Sequence, residues 1–154
     1  PPILAGVYDY PHEPEHARGL VMAAIEPQLA SIPSLVRGMV RDEMQSRITL
    51  PRRITIALPD PIVSVTYEGE RTSVVACPIG GSTTVTSRDG ETVPVTQRIN
   101  GGWLEQTFTG PSGGTLRVLL STEPDGQTLH VDGTMTSERL GQPIPVRLDY
   151  QRVH

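Results

Sequence analysis

Between Arg52 and Gln151 the chain divides into nine short runs of strand-forming residues, and that rhythm restricts its fold more than any other feature. The runs are Arg52–Leu58, Ile62–Tyr67, Thr72–Cys77, Ser82–Ser87, Glu91–Ile99, Trp103–Thr109, Thr115–Thr122, Gln127–Ser137 and Ile144–Gln151. Turn signals separate them, among them Pro59-Asp60-Pro61, Asp89-Gly90, Asn100-Gly101-Gly102, Pro124-Asp125-Gly126 and Leu140-Gly141. Asp-Gly and Asn-Gly pairs supply the positive φ angles that tight hairpins need. Short strands joined by links this brief predict an antiparallel meander.

Several runs alternate cleanly. Ile54, Ile56 and Leu58 share a face, as do Leu116, Val118 and Leu120, then Leu129, Val131 and Met135, then Ile144, Val146, Leu148 and Tyr150. Thr55, Arg117, His130, Asp132, Arg147 and Asp149 occupy the opposite faces, so one side of the sheet is apolar and the other wet. A twisted meander of about nine strands curls, and its inside must be filled by side chains, a ligand or another element.

The filling is offered by residues 15–48, the one stretch with a helical period. Ala17, Leu20, Val21, Ala24 and Ile25 fall on one face of a first helix over 15–26. Ile32, Leu35, Val36, Met39 and Val40 fall on one face of a second over 33–47. Pro27 and Pro33 argue for two helices rather than one rod, which at ~1.5 Å per residue would run ~50 Å and overhang strands of ~20–27 Å. Ser31 or Ser34 caps the second helix, with Pro33 tolerated in its first turn. Glu43 projects onto the apolar side and is expected to pair with Arg47 four residues on. Residues 1–14, with four prolines, read as an irregular lead-in or short edge strand.

At 154 residues, 36% apolar and net charge −4, the expectation is a single globular domain with a mainly aliphatic core, since aromatics make up only 4%. Every basic side chain besides histidine is arginine, and no basic run or aromatic-plus-basic stripe points to nucleic acid. No apolar run approaches the ~20 residues of a membrane-spanning helix. Export is an open expectation, the chain beginning Pro1-Pro2 without Met. Oligomeric state is left open.

The meander, with Leu104-Glu105-Gln106-Thr107-Phe108, Asp125-Gly126-Gln127-Thr128-Leu129-His130-Val131 and Pro143-Ile144-Pro145-Val146 ending in Tyr150-Gln151-Arg152, resembles the calycin-like group. That group includes lipocalins, fatty-acid-binding proteins and many bacterial relatives. Ala24-Ile25-Glu26, followed by Ile32-Pro33-Ser34-Leu35-Val36-Arg37 and Arg41, is similar to a helical preface in some of those bacterial relatives. The resemblance covers roughly residues 17–152 and implies a barrel or half-barrel that binds apolar molecules.

Candidate sites follow from the faces. Tyr67, Trp103, Phe108 and Tyr150 are candidate lining residues, with Arg98 or Arg117 for a ligand carboxylate. If the wet face lines the lumen, Arg98, Glu105, Arg117 and His130 form a polar ligand site; if the apolar face does, they are surface charges, and helices needing an apolar partner favour the second arrangement. His130 and Asp132 point the same way, but no nucleophile motif accompanies them, so no catalytic residue is assigned. His12 and His16 straddle Pro14 at a helix start, and one histidine pair rarely supplies the three or four ligands a metal needs. Cys77, alone, reads as a buried inert thiol, and neither cofactor nor metal is expected. The leading reading is a non-enzymatic binding protein for a small apolar or lipid-like ligand. The alternatives are a structural or interaction protein whose own helices fill the barrel, and a cyclase- or isomerase-type enzyme that shapes a hydrophobic substrate.

Overall fold

The computed structural model describes residues 4–30, 32–47, 50–58, 61–86, 90–100, 102–110, 114–138 and 142–153. In chain order the elements are β1 (Gly6–Asp9), α1 (Pro14–Leu29), α2 (Ser34–Arg47), β2 (Arg53–Ala57), β3 (Ile62–Glu68), β4 (Thr72–Pro78), β5 (Ser82–Thr86), β6 (Thr92–Asn100), β7 (Trp103–Thr109), β8 (Thr115–Thr122), β9 (Thr128–Thr136) and β10 (Ile144–Arg152). The nine runs expected from the sequence are β2 to β10. Ser31, the turn residues Pro59-Asp60, Asp89, Gly101 and Leu140-Gly141, His154, and the side chains of the expected Glu43–Arg47 pair lie outside what is described.

The strands form one ten-stranded antiparallel sheet in the order β4-β3-β2-β1-β10-β9-β8-β7-β6-β5. Its two edge strands, β4 and β5, lie against each other, so the sheet curls into a nearly closed barrel with one seam. Opening residues expected as a lead-in or an edge strand contribute instead an interior strand. Tyr8 pairs with Arg152 on one side of β1 and with Ile54 on the other. The prolines bracket Gly6–Asp9 without interrupting it, so its amides are free to bond both ways. A Cβ at Gly6 would overlap the Arg152 guanidinium, which would have to leave its place to admit one.

Alternation carries the apolar residues inward. Tyr8, Ile54, Ile56, Val63, Val65, Leu104, Val118, Leu120, Leu129, Leu148 and Tyr150 make one buried cluster inside the barrel. In α1, Ala17, Val21, Ile25 and Leu29 are buried at four-residue spacing, a single helical stripe. Val21, Ile25 and Leu29 pack with Ile144 and with Met135 and Val146, on the inward side of β9 and β10. Pro27 does not end this helix as the sequence suggested. It falls in the final turn, where its missing amide forfeits one hydrogen bond and the helix runs on to Leu29.

The second helix departs from expectation further. Its amphipathic stripe was expected to fill the barrel, yet Leu35 is 93% and Met39 72% exposed, and Val36 is exposed too. Pro33 stands just before its first residue, Ser34, and the Pro33 carbonyl accepts from Val36 N and Arg37 N, each at 3.1 Å. The inward side of β10 is already covered by α1, and α2 is held beside α1 by the bidentate Arg41–Glu26 pair. An apolar stripe states which face would gain from burial; it does not provide the surface to bury it.

Candidate functional site

Across the seam side of the inner wall runs a chain of polar side chains. Gln97 on β6 and Gln106 on β7 pair in register, and both side chains are buried because Val95, Leu104 and Phe108 at two-residue spacing share their inward face. The Tyr67 hydroxyl, from β3, donates to Gln106 Oε1. Gln106 Nε2 donates to Gln97 Oε1 at 2.7 Å. Gln97 Nε2 then donates to the Val63 carbonyl at 3.1 Å, with the Cys77 carbonyl at 3.4 Å and the Cys77 Sγ at 3.1 Å. The backbone at the same point is tied as well: Gly80 N donates to Gln97 O at 2.8 Å and Gln97 N to Gly81 O at 3.2 Å.

This arrangement does two things. It carries hydrogen bonds from β6 and β7 to β3 and β4, across the seam where the sheet's edges meet without a ladder. It also places amide and phenol groups on a mainly apolar inner wall, the combination a small-molecule site uses to orient a guest. Burial raises the Tyr67 hydroxyl pKa far above that of a free phenol, so it stays a neutral donor. Cys77 is buried and free, as expected.

Of the residues singled out in the sequence, Tyr67, Phe108 and Tyr150 belong to the inner cluster or pack against it. The Tyr150 hydroxyl donates to the Pro51 carbonyl at 2.5 Å, and burial again raises its pKa. Its ring meets Tyr10 edge-on at 5.2 Å. The Tyr10 hydroxyl lies 2.7 Å from His16 Nδ1, and the His12 and His16 rings are 4.2 Å apart.

Arg98, Glu105, Arg117, His130 and Trp103 are not brought to that wall. Each sits at an odd step from an inward residue, opposite to Gln97, Gln106, Val118, Leu129 and Leu104, and the pleat turns it outward. There Glu105 is clasped by two arginines: Arg98 Nε reaches Oε2 at 3.0 Å and Arg117 Nε reaches Oε1 at 2.7 Å. The Arg98 bond, helped by Arg117, lowers the Glu105 pKa against the opposing desolvation. His130 lies between two carboxylates, with Nδ1 2.6 Å from Asp149 and Nε2 2.6 Å from Glu123. The Asp149 hydrogen bond foremost raises its pKa. Asp132, expected beside His130, is engaged by Arg147 at 2.7 Å. Trp103 is half exposed.

Sequence reasoning passed over Gln97 altogether and noted Gln106 only as a neighbour of Leu104 and Phe108. The signal was present: a glutamine standing where the alternation demands an apolar side chain, once after Val93 and Val95 and once between Leu104 and Phe108.

No family model matches the chain, and no curated protein does. Solved structures do match over nearly the whole chain. A REP1-NXSQ fatty acid transporter is 16% identical, with 98% of this chain and 96% of that one covered and a TM-score of 0.61. A Schistosoma mansoni fatty acid binding protein in complex with arachidonic acid is 16% identical over 98% and 96%, at 0.60. A zebrafish ileal bile acid-binding protein complexed with cholic acid is 14% identical over 97% and 98%, at 0.57. The chain has the fold of the fatty-acid-binding proteins.

Proposed function

We propose that this protein binds a small apolar or lipid-like molecule inside its barrel and acts as a carrier rather than as an enzyme. The observation that carries the reading is the inner wall: ten strands turn aliphatic and aromatic side chains inward, interrupted by the Tyr67–Gln106–Gln97 chain. A guest between that wall and α1 would replace apolar contacts with equivalent ones, at ~25 cal/mol for each Å² of apolar surface it withdraws from water. Tyr67, Phe108 and Tyr150 are the assigned lining residues. Support comes also from the solved structures of the same fold, which are described as transporting or binding fatty acids, arachidonic acid and cholic acid.

A second reading draws on α1 itself. Val21, Ile25 and Leu29 already cover Ile144 and Val146, and a barrel filled by its own helix needs no guest. Native mass spectrometry of gently purified protein, joined to titration with an environment-sensitive fluorescent fatty acyl probe, separates the two. A co-purifying small molecule or saturable one-to-one binding of the probe supports the carrier. A bare mass together with no saturable binding overturns it in favour of the filled barrel.

A further inference from the structure

Resting on the carrier reading, we infer that the guest's polar end is uncharged, a hydroxyl, ester or amide rather than a carboxylate, and that it docks on Tyr67 and Gln106. The argument is an inventory of donors and acceptors. A primary amide offers two N–H donors and an oxygen with two acceptor positions; a phenol offers one donor and an acceptor oxygen. Gln97 has its donors used: its nitrogen faces the Val63 carbonyl and the carbonyl and sulfur of Cys77, while its oxygen accepts from Gln106. Gln106 is not. Its nitrogen donates once, to Gln97, and among the described residues nothing takes its second hydrogen. Its oxygen accepts once, from Tyr67, and nothing among the described residues donates to the Tyr67 oxygen.

One spare donor beside a spare acceptor is what a hydroxyl requires, accepting from the amide and donating to the phenol. An ester or amide carbonyl uses the donor alone. A carboxylate brings only acceptors and a full charge, and a buried charge is tolerated when paired and expelled when not. The wall does not supply the pairing. Among the described strand residues, Arg53, Arg98, Arg117, Arg147 and His130 are turned outward and committed to Asp9, Glu105, Asp132, Asp149 and Glu123. Arg152 is the described strand cation whose register places it inward. It lies three strands round from Tyr67, in the row Tyr67–Ile54–Tyr8–Arg152. Its guanidinium is occupied there, bonding Gly126 O at 2.6 Å, Ala5 O at 3.1 Å and the Tyr8 hydroxyl at 2.6 Å, and lying over the Tyr8 ring. Burial, opposed by Arg152, raises the Tyr8 hydroxyl pKa, so the arginine's partner there stays neutral.

The test holds the chain constant and changes the head. Hexadecan-1-ol and hexadecanoate are each titrated against the fluorescent acyl probe at pH 8, and hexadecanoate again at pH 5. The alcohol should displace the probe about tenfold or more better than the acid at pH 8. The acid should gain on it at pH 5, where more of it is protonated. Tyr67→Phe and Gln106→Leu, each checked by circular dichroism for a native melt, should shrink the alcohol's advantage to within about threefold. Hexadecanoate binding as well as or better than the alcohol at pH 8 overturns the uncharged head and leaves the carrier standing. An alcohol preference untouched in a folded Tyr67→Phe protein overturns the assigned docking point. Failure of probe, alcohol and acid alike to bind overturns the carrier reading, and this inference with it.

Discussion

Replacing Gln106 by leucine keeps the bulk of a fully buried side chain but breaks the polar chain in its middle. Two groups lose their partners, the Tyr67 hydroxyl and the Gln97 carbonyl oxygen. Each orphaned buried group costs about 1–3 kcal/mol, and the added apolar carbons on an apolar wall return roughly 1 kcal/mol, for a net loss of about 1–5 kcal/mol. Tyr67→Phe alone leaves the buried Gln106 Oε1 without its donor and should cost about 1–3 kcal/mol. The informative protein is the double variant. With Gln106 already leucine, the Tyr67 hydroxyl is a liability, so adding Tyr67→Phe should restore about 1–2 kcal/mol rather than remove more. Urea melts followed by circular dichroism, read at the midpoint with the slope checked for constancy, measure all four corners of the cycle. For a chain of 154 residues the same differences appear as shifts of about 2–4 °C per kcal/mol in the thermal midpoint. A double variant less stable than Gln106→Leu would refute the reasoning, because it would mean that the two side chains do not depend on each other.

Three further outcomes follow from the outer wall and the helices. Glu105→Gln should cost about 1–2 kcal/mol, since the carboxylate is buried while its two arginines are largely exposed; the loss should shrink in 1 M salt, and in the wild type this contribution should disappear as pH drops through the lowered Glu105 pKa, all measurable by thermal melts. His130 has a folded pKa above 6.5, so its bonds to Asp149 and Glu123 contribute fully below pH 6.5 and are lost as pH rises through that folded value. A thermal midpoint that falls over this window in the wild type, but not in His130→Gln, is the expected result, and a flat wild-type profile would count against it. Ile25→Ala, at a fully buried site, should cost about 2–5 kcal/mol, whereas Leu35→Ser, at 93% exposure, should stay within about 0.5 kcal/mol; comparable losses at both would mean that α2 is packed.

The strands from Arg53 onward were legible because alternation and turn chemistry are local: Ile54 and Ile56, or Leu116 to Leu120, declare their faces within a few residues. What was not legible depended on distant partners. Gly6–Asp9 is too short to announce itself, and it becomes a strand because Arg152 and Ile54 flank Tyr8. The unequal fate of the two helices was hidden for the same reason, since only one inward surface of β9 and β10 exists and α1 takes it. Arg98, Glu105, Arg117 and His130 drew attention as charges, but an outward ion pair and a ligand contact have the same composition, and parity alone tells them apart. The two glutamines were the reverse case, ordinary residues made informative by the side of the strand they occupy.

The place of β1 also governs how the protein is made. Its two neighbours are β2, some forty residues away, and β10, translated last among the strands, so the earliest strand waits through nearly the whole of synthesis for its second partner. Contacts so far apart in sequence make for slow folding and leave hydrogen-bonding edges open in the meantime. A nascent chain halted before Ile144 would expose the bare edges of β1 and β9 together, and would be a client for chaperones until the tenth strand slid between them.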